Sequence, residues 1–415
     1  MRPALSASLR WGALSTVIVL IALWPTACSD SSGGSGPTLD PATAEAEREA
    51  FTVMATQAIG PTYAAFDTQV TSFVSALNDY ADDSSNDTER ANAQAQWRDV
   101  MSAWQKAEVF QLGPTAEQDM DRPKQKGLRD EIYSWPTTSP CNIDKATLDQ
   151  EYLEDDFIET SLVNVRGLDA LEYLLYQEDD AHACQSDSNF DSSAWSALDV
   201  QAVRQRRADY AKVLIKDIEQ HSANLRIDWT TSGSDGFGSQ LSSAGSGSEV
   251  YNSTQDALND LFVALFYIEL ETKDMKLAEP AGLRSTCLSD SCPEKLEFQW
   301  SDFNREAIIA NLEALEALLH GNNVVTEQKE GIYAILAGRG AESTAQALDT
   351  AVKEALSNAN GIDKPLRELL SGDSNDIARV RELHDKVKAI TDLLKSEFVT
   401  ALNLSIPSEG AGDND

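Results

Sequence analysis

Histidine is scarce in this chain: there are 4 among 415 residues, and no His-Glu-x-x-His run occurs. That excludes the helical arrangement in which two histidines one turn apart hold zinc beside a glutamate base. The sequence also has no Cys-x-x-Cys pair, which argues against a thiolate zinc site. Basic residues are few, with 33 Lys and Arg against 68 Asp and Glu and a net charge of −35. Binding to nucleic acid relies on Lys and Arg neutralising phosphates, so nucleic acid is excluded as a partner. The same balance argues against docking on anionic lipid heads. Alternating runs of strand type are rare. Past residue 27 no stretch has the roughly 20 apolar residues that a membrane-spanning helix needs.

The first 27 residues read as a secretory signal. Arg2 and Arg10 supply positive charge, Trp11 to Trp24 carry none, and Pro25, Thr26 and Ala27 lead into Cys28. Small residues directly before a cysteine mark a lipoprotein cleavage site, with Cys28 as the lipidated residue. The Ser- and Gly-rich run from Ser29 to Pro41 then reads as a flexible tether. More than one acyl chain gives a stable anchor where a single chain would not. Loss of residues 1–27 removes two arginines and no acids, leaving 31 Lys and Arg against 68 Asp and Glu, a net charge of −37. The expected location is the cell envelope, with the membrane as partner through the lipid. Ser29 after the cysteine points to the outer membrane. Four cysteines remain, and an even number in an exported chain favours disulfides. Of the three possible pairings, Cys141–Cys184 with Cys287–Cys292 keeps each bridge within one half of the chain.

Apolar residues recur at helical spacing over most of residues 42–404, so the fold class is all-α. The spacing predicts helices over 51–82, 92–110, 148–176, 210–224, 251–277, 304–320, 343–357 and 378–402. Turn residues separate them, among them Gly113 and Pro114, Pro136 to Pro140, Pro280 with Gly282, and Asn360 with Gly361. Residues 230–247 are rich in Ser and Gly and lack periodicity. They read as a linker or surface loop between a first helical bundle, 42–229, and a second, 248–404, with a disordered tail at 405–415. Leu168 to Tyr176 and Leu312 to His320 share a pattern at an offset of 144 residues, which suggests that the two bundles arose by internal duplication.

Several carboxylates fall on the wrong face. With Leu162 to Tyr176 taken as one helix at about 100° per residue, Asp169 and Glu172 lie among Val165, Leu168 and Tyr176. Arg166 and Ala170 lie away from that face. In the second copy, Glu313 and Glu316 fall between Ile309, Leu312 and His320, and His320 follows Glu316 by one turn. A lone buried carboxylate costs several kcal/mol, so these groups must be paired, hydrogen-bonded, protonated or bound to a cation. Helical bundles place carboxylate and Glu-x-x-His metal sites in such positions. The alternative is a salt bridge to a neighbouring helix. For Asp169 and Glu172 the expected polar partners are on the 97–114 helix, with Glu108 as a third acid and Arg166 as a marginal counter-charge. His182, His221 and His384 lack a partner at ligand spacing and are expected on the surface.

The run from Val163 to Tyr176 resembles the signature of the imelysin family, Gly-x-His-x-x-Glu. Gly167, Asp169 and Glu172 occupy its three positions, with aspartate in place of histidine. Similar segments follow the same order elsewhere: Trp97, Ala103 to Pro114, Ile132 to Pro136, Lys273 to Pro280, Trp300 with Ser301, and Asn311 with Leu312. Together they span about residues 45–400. The resemblance implies a pair of related helical bundles and a place among peptidases and iron-regulated envelope proteins. Without the histidine the motif offers only oxygen, which suits a hard divalent or ferric cation, or none, better than zinc.

Three functions compete. The first is a non-catalytic envelope protein that binds a ligand or metal and supports iron uptake, with iron-uptake proteins as partners. The second is an imelysin-type metallopeptidase. The third is an interaction module whose buried acids are structural. The anchor can be tested first: Cys28→Ser is expected to leave the precursor unprocessed or to move the protein out of the membrane fraction. A variant processed normally and bound as firmly as wild type overturns the anchor.

Overall fold

Asp40 opens the first helix, its side chain accepting from the backbone N–H groups of Ala42 and Thr43 at 3.0 and 3.2 Å. The computed structural model describes residues 40–405, apart from 117–121, 179, 231–234 and 324–328. The expected signal, Cys28, nearly all of the tether and residues 406–415 lie outside the described residues. Among the described residues there are helices and turns and no strand, as the periodicity predicts. None of the described helices is long and apolar enough to cross a membrane.

Long helices supply the frame. Pro41–Val53 runs through a π-helical turn, Met54–Ile59, into Gly60–Asp82. Asn86 caps Asp87–Glu108, and Val200–Thr230 packs along both Gly60–Asp82 and the motif helix Gly167–Tyr176. In the second half, Thr254–Tyr267 passes into a π-helical stretch, Ile268–Ala278, and Asn304–His320 packs against Asp87–Glu108 and Glu342–Gly361. Gly321, at φ +83°, ends the 304–320 helix with the left-handed residue that such a cap needs.

One expectation is corrected. The single helix predicted over 148–176 is broken. A helix Pro140–Asp149 stops at Gln150, which takes a left-handed conformation, and the chain turns repeatedly before Gly167–Tyr176 begins. Acidic turn residues at 151–156 interrupt the apolar pattern there, and tertiary packing overrides the helical spacing that continues on either side. Residues 230–247 are expected as a linker or surface loop. Their described part carries a short helix, Phe237–Ser242, and does not behave as an open linker. Phe237 is buried and its ring meets Trp229 and Tyr251 at centroid distances of 5.7 and 6.1 Å. Gly113 is required beneath it: φ is +54°, and a Cβ there would lie 2.5 Å from the Phe237 ring.

Both halves of the chain share one core. Trp97 contacts Phe298 and Phe303 edge-on at 5.8 and 5.9 Å, and the Arg98 guanidinium donates to the Ser301 carbonyl. Residues from Asp40 onward accordingly form one compact unit. Both expected disulfides are present, with Sγ–Sγ distances of 2.04 Å for Cys141–Cys184 and 2.10 Å for Cys287–Cys292. The first closes a sequence separation of 43 and the second of 5. In the chain-entropy account, replacing Cys141 and Cys184 by serine is expected to cost about 4 kcal/mol, and replacing Cys287 and Cys292 about half that. Urea unfolding of the two double variants checks the ranking.

Candidate functional site

The motif helix starts at a glycine because little else fits. Gly167 has φ +85°, and a Cβ would sit 2.9 Å from Asp169 Oδ1 and 3.0 Å from the Ile132 carbonyl. That close approach brings the 132–138 loop against the first turn of the Gly167–Tyr176 helix. Ser134 Oγ donates to Asp169 Oδ2 at 2.9 Å, Thr138 Oγ1 donates to the same oxygen, and the Ala170 N–H reaches Oδ1 at 3.1 Å. One turn on, Glu172 Oε1 accepts from the Trp300 and Ser301 N–H groups at 3.2 and 2.8 Å and from Ser301 Oγ at 2.7 Å. The two motif carboxyls are therefore held by opposite halves of the chain.

Both are buried, and burial pushes each up to about 7 against the pull of these donors. Between them and the 293–300 segment lies a cavity of about 450 Å³, walled by Trp135, Asp169, Glu172, Lys295, Glu297 and Trp300. Glu297 continues the acidic wall inward. Its Oε1 accepts from Tyr133 Oη at 2.7 Å, Gln105 Nε2 at 3.2 Å and Lys276 Nζ at 3.1 Å, while Oε2 has no hydrogen-bond partner among the described residues. Burial raises the Glu297 carboxyl although Lys276 pulls it down, and burial with Glu297 beside it drives the Tyr133 hydroxyl well up.

Asp169 and Glu172 are buried on the motif helix as expected, but so is its whole first turn, Ala170 included. Glu108 is buried and central without touching either. It bonds Arg129 Nε at 3.1 Å, Tyr267 Oη at 2.9 Å and Gln105 Nε2 at 3.3 Å. Arg166 is not the counter-charge to the motif acids: its guanidinium lies 2.8 Å from Glu131 and 3.5 Å from Asp217. The helix begins only at Gly167, so Arg166 leaves in an extended conformation on another bearing. Among the described residues, no third His, Cys, Asp or Glu completes a metal-ligand set with Asp169 and Glu172.

The second copy departs from expectation in another way. Glu313 is exposed and pairs with Lys106 at 2.7 Å, off the buried face. Glu316 and His320 are buried, and Asp349 of the Glu342–Gly361 helix stands 2.9 Å from His320 Nε2. The other three histidines are not surface residues. His384 is buried, His221 is half-buried beside Asp217 at 3.2 Å, and half-buried His182 packs on Phe190 and Trp195. The pairing of His221 with Asp217 one turn earlier was present in the sequence as a one-turn spacing. Ser134, Ser301 and Lys276 lie inside the similar segments quoted above, whereas nothing in the local pattern marked Glu297 or Asp349.

The class is an all-helical protein with an acidic cavity over a Gly-x-Asp-x-x-Glu turn. The imelysin family model matches residues 59–394, and the chain belongs to that family. Two solved structures share the fold. One, from Parabacteroides distasonis ATCC 8503, is described as an iron-regulated protein A precursor; it has a TM-score of 0.64 and 15% identity over 88% of this chain and 97% of its own. The other, an imelysin-like protein from Psychrobacter arcticum 273-4, has a TM-score of 0.61 and 19% identity over 88% and 98%. No curated protein matches the chain.

The raised carboxyls make a pH prediction. A carboxyl held near 7 in the folded state and near 4 in the unfolded chain keeps more protons when folded, so stability falls as pH rises between those values. The cost is on the order of 3 kcal/mol per carboxyl. Asp169→Asn with Glu172→Gln is expected to flatten that fall, read as the difference in urea unfolding free energy between pH 4.5 and 7.5 for wild type and variant, at about those pH values.

Proposed function

We propose that this protein is a lipid-anchored envelope member of the imelysin family that binds a ligand without catalysis, in support of iron uptake. The observation that carries this reading is the state of the motif carboxyls. Each is already held by hydroxyl and N–H donors of the protein, and each lines a shared cavity with an acidic wall. Rigid acceptors held ready on two sides of a cavity suit recognition of a cation or of a ligand rich in hydrogen-bond donors. Trp135 and Trp300 add aromatic surface beside them, which favours organic cations.

Peptidase chemistry fits the same groups less well. A zinc site wants nitrogen ligands and a poised base. Here aspartate stands at the histidine position, and both of its oxygens are engaged by protein donors. The link to iron comes from the Parabacteroides relative, which is described as iron-regulated. The anchor at Cys28 would keep the cavity at a membrane surface where uptake takes place.

The test is genetic and biochemical together. A strain lacking the protein is expected to accumulate less radioactive iron under iron limitation. Wild type is expected to restore accumulation, and Glu172→Gln, expressed to the same level, is not. Hydrolysis of a casein substrate by the purified full chain, lost in Glu172→Gln, would overturn the non-catalytic reading. Full restoration of iron accumulation by Glu172→Gln would remove the cavity from the function.

A further inference from the structure

A second group of ligating side chains stands apart from the motif cavity. Glu316 and His320 lie one turn apart on the Asn304–His320 helix, so both point the same way. The adjacent Glu342–Gly361 helix brings Asp349 to them. All three are buried, and one ligand atom from each lies within 4.8 Å of the others. The only other such group among the described residues, Glu131, Asp217 and His221, already has a cation, the Arg166 guanidinium, against both carboxylates.

Glu316 is the informative member. It is 7% exposed, and no described residue offers it a hydrogen-bond donor or an ion pair at bonding distance. It lines a cavity of about 520 Å³ together with His320, Lys106, Glu313 and Asn323. A buried carboxylate that no donor bonds is costly, and a cation is one of the remedies. Burial raises the Glu316 carboxyl, with His320 and Lys353 pulling the other way. Asp349 is bonded to His320 Nε2 at 2.9 Å and to Lys353 Nζ at 2.9 Å. Lys353 is half exposed and on a flexible stem, so its charge can be replaced by a cation without unpacking the helix. The position is also the C-terminal end of a helix of 17 residues, where the backbone carbonyls favour positive charge.

We propose that Glu316, His320 and Asp349 form a site for one divalent first-row transition cation, at the edge of the 520 Å³ cavity that Glu316 and His320 line. One imidazole nitrogen and two carboxylates select such a cation over magnesium or calcium, which prefer oxygen alone. The remaining coordination positions open on the cavity, where a small anionic or neutral ligand can reach the metal. This site is independent of the motif carboxyls and of the function proposed for them.

The experiment uses the full chain after treatment with chelator, titrated with Zn²⁺ and, for its absorption bands, with Co²⁺. Wild type is expected to bind one Zn²⁺ saturably, with no competition from equal Mg²⁺. Glu316→Gln and Asp349→Asn are each expected to weaken binding at least about tenfold, since each removes a first ligand. Lys353→Met is expected to tighten binding several-fold by removing the competing charge. Glu172→Gln is expected to leave it unchanged, which separates this site from the motif cavity. Asp349→Asn strands two partners and can fail to fold. Glu316→Gln breaks no bond within the protein, and broadening of the His320 ring signals by Co²⁺ needs no variant at all. Absence of saturable binding, binding undiminished in Glu316→Gln, or loss in Glu172→Gln in its place would each overturn the assignment.

Discussion

Charge buried between the two halves of the chain is the constraint on which the rest depends. Glu108 and Arg129, from the first half, are joined at 3.1 Å, and Tyr267, from the second, donates to Glu108 at 2.9 Å. Gln105 bridges Glu108 to Glu297, and Lys276 meets Glu297 at 3.1 Å. None of these groups reaches solvent to any useful extent. A buried ion pair adds little net stability, but removing one member leaves the other uncompensated. The halves are therefore held in one arrangement, in which every member of the network has its partner. The motif cavity sits at the edge of this network, and the Ser301 and Trp300 donors to Glu172 belong to the same seam.

Asp169, at the histidine position of the motif that the run from Val163 to Tyr176 resembles, is held from within the first half of the chain. Ser134 and Thr138 donate to it, and the loop that carries them is packed against the motif turn through Gly167. Hydroxyl donors hold the carboxyl, which remains buried at the expense of its acidity. The outcome is a polar pocket built from oxygen acceptors and two indoles.

Much of the architecture was legible in the sequence. Amphipathic spacing predicted the 304–320 helix to the residue, and Gly321 explains its end. Asp169 and Glu172 stood out because an apolar face does not carry acids without partners. The parity and spacing of the cysteines favoured the two pairings that are present. Other features were hidden for physical reasons. Serine and glycine in 230–247 read as a linker or surface loop, because the residues that anchor the run, Phe237 and Leu241, are too few to show a period. The predicted helix over 148–176 failed because helical spacing persists across turns whose backbone is set by distant contacts. Arg166 was assigned to the motif acids on proximity along the chain, whereas the helix start at Gly167 sends it to Glu131 and Asp217.

By itself, then, the sequence determined the helical class, the family and which carboxyls had to be compensated, because periodicity, motif order and the cost of burying charge are all local properties. Only the tertiary structure decided what compensates them. Ser134, Thr138 and Ser301 reach the motif acids from segments about 30 and 130 residues away, distances along the chain that no helical spacing connects. Glu316 and His320 met Asp349 in the same way, through the packing of two helices. A side chain's own face is written in the residues beside it, but its partner is chosen by whichever element the shared core brings across.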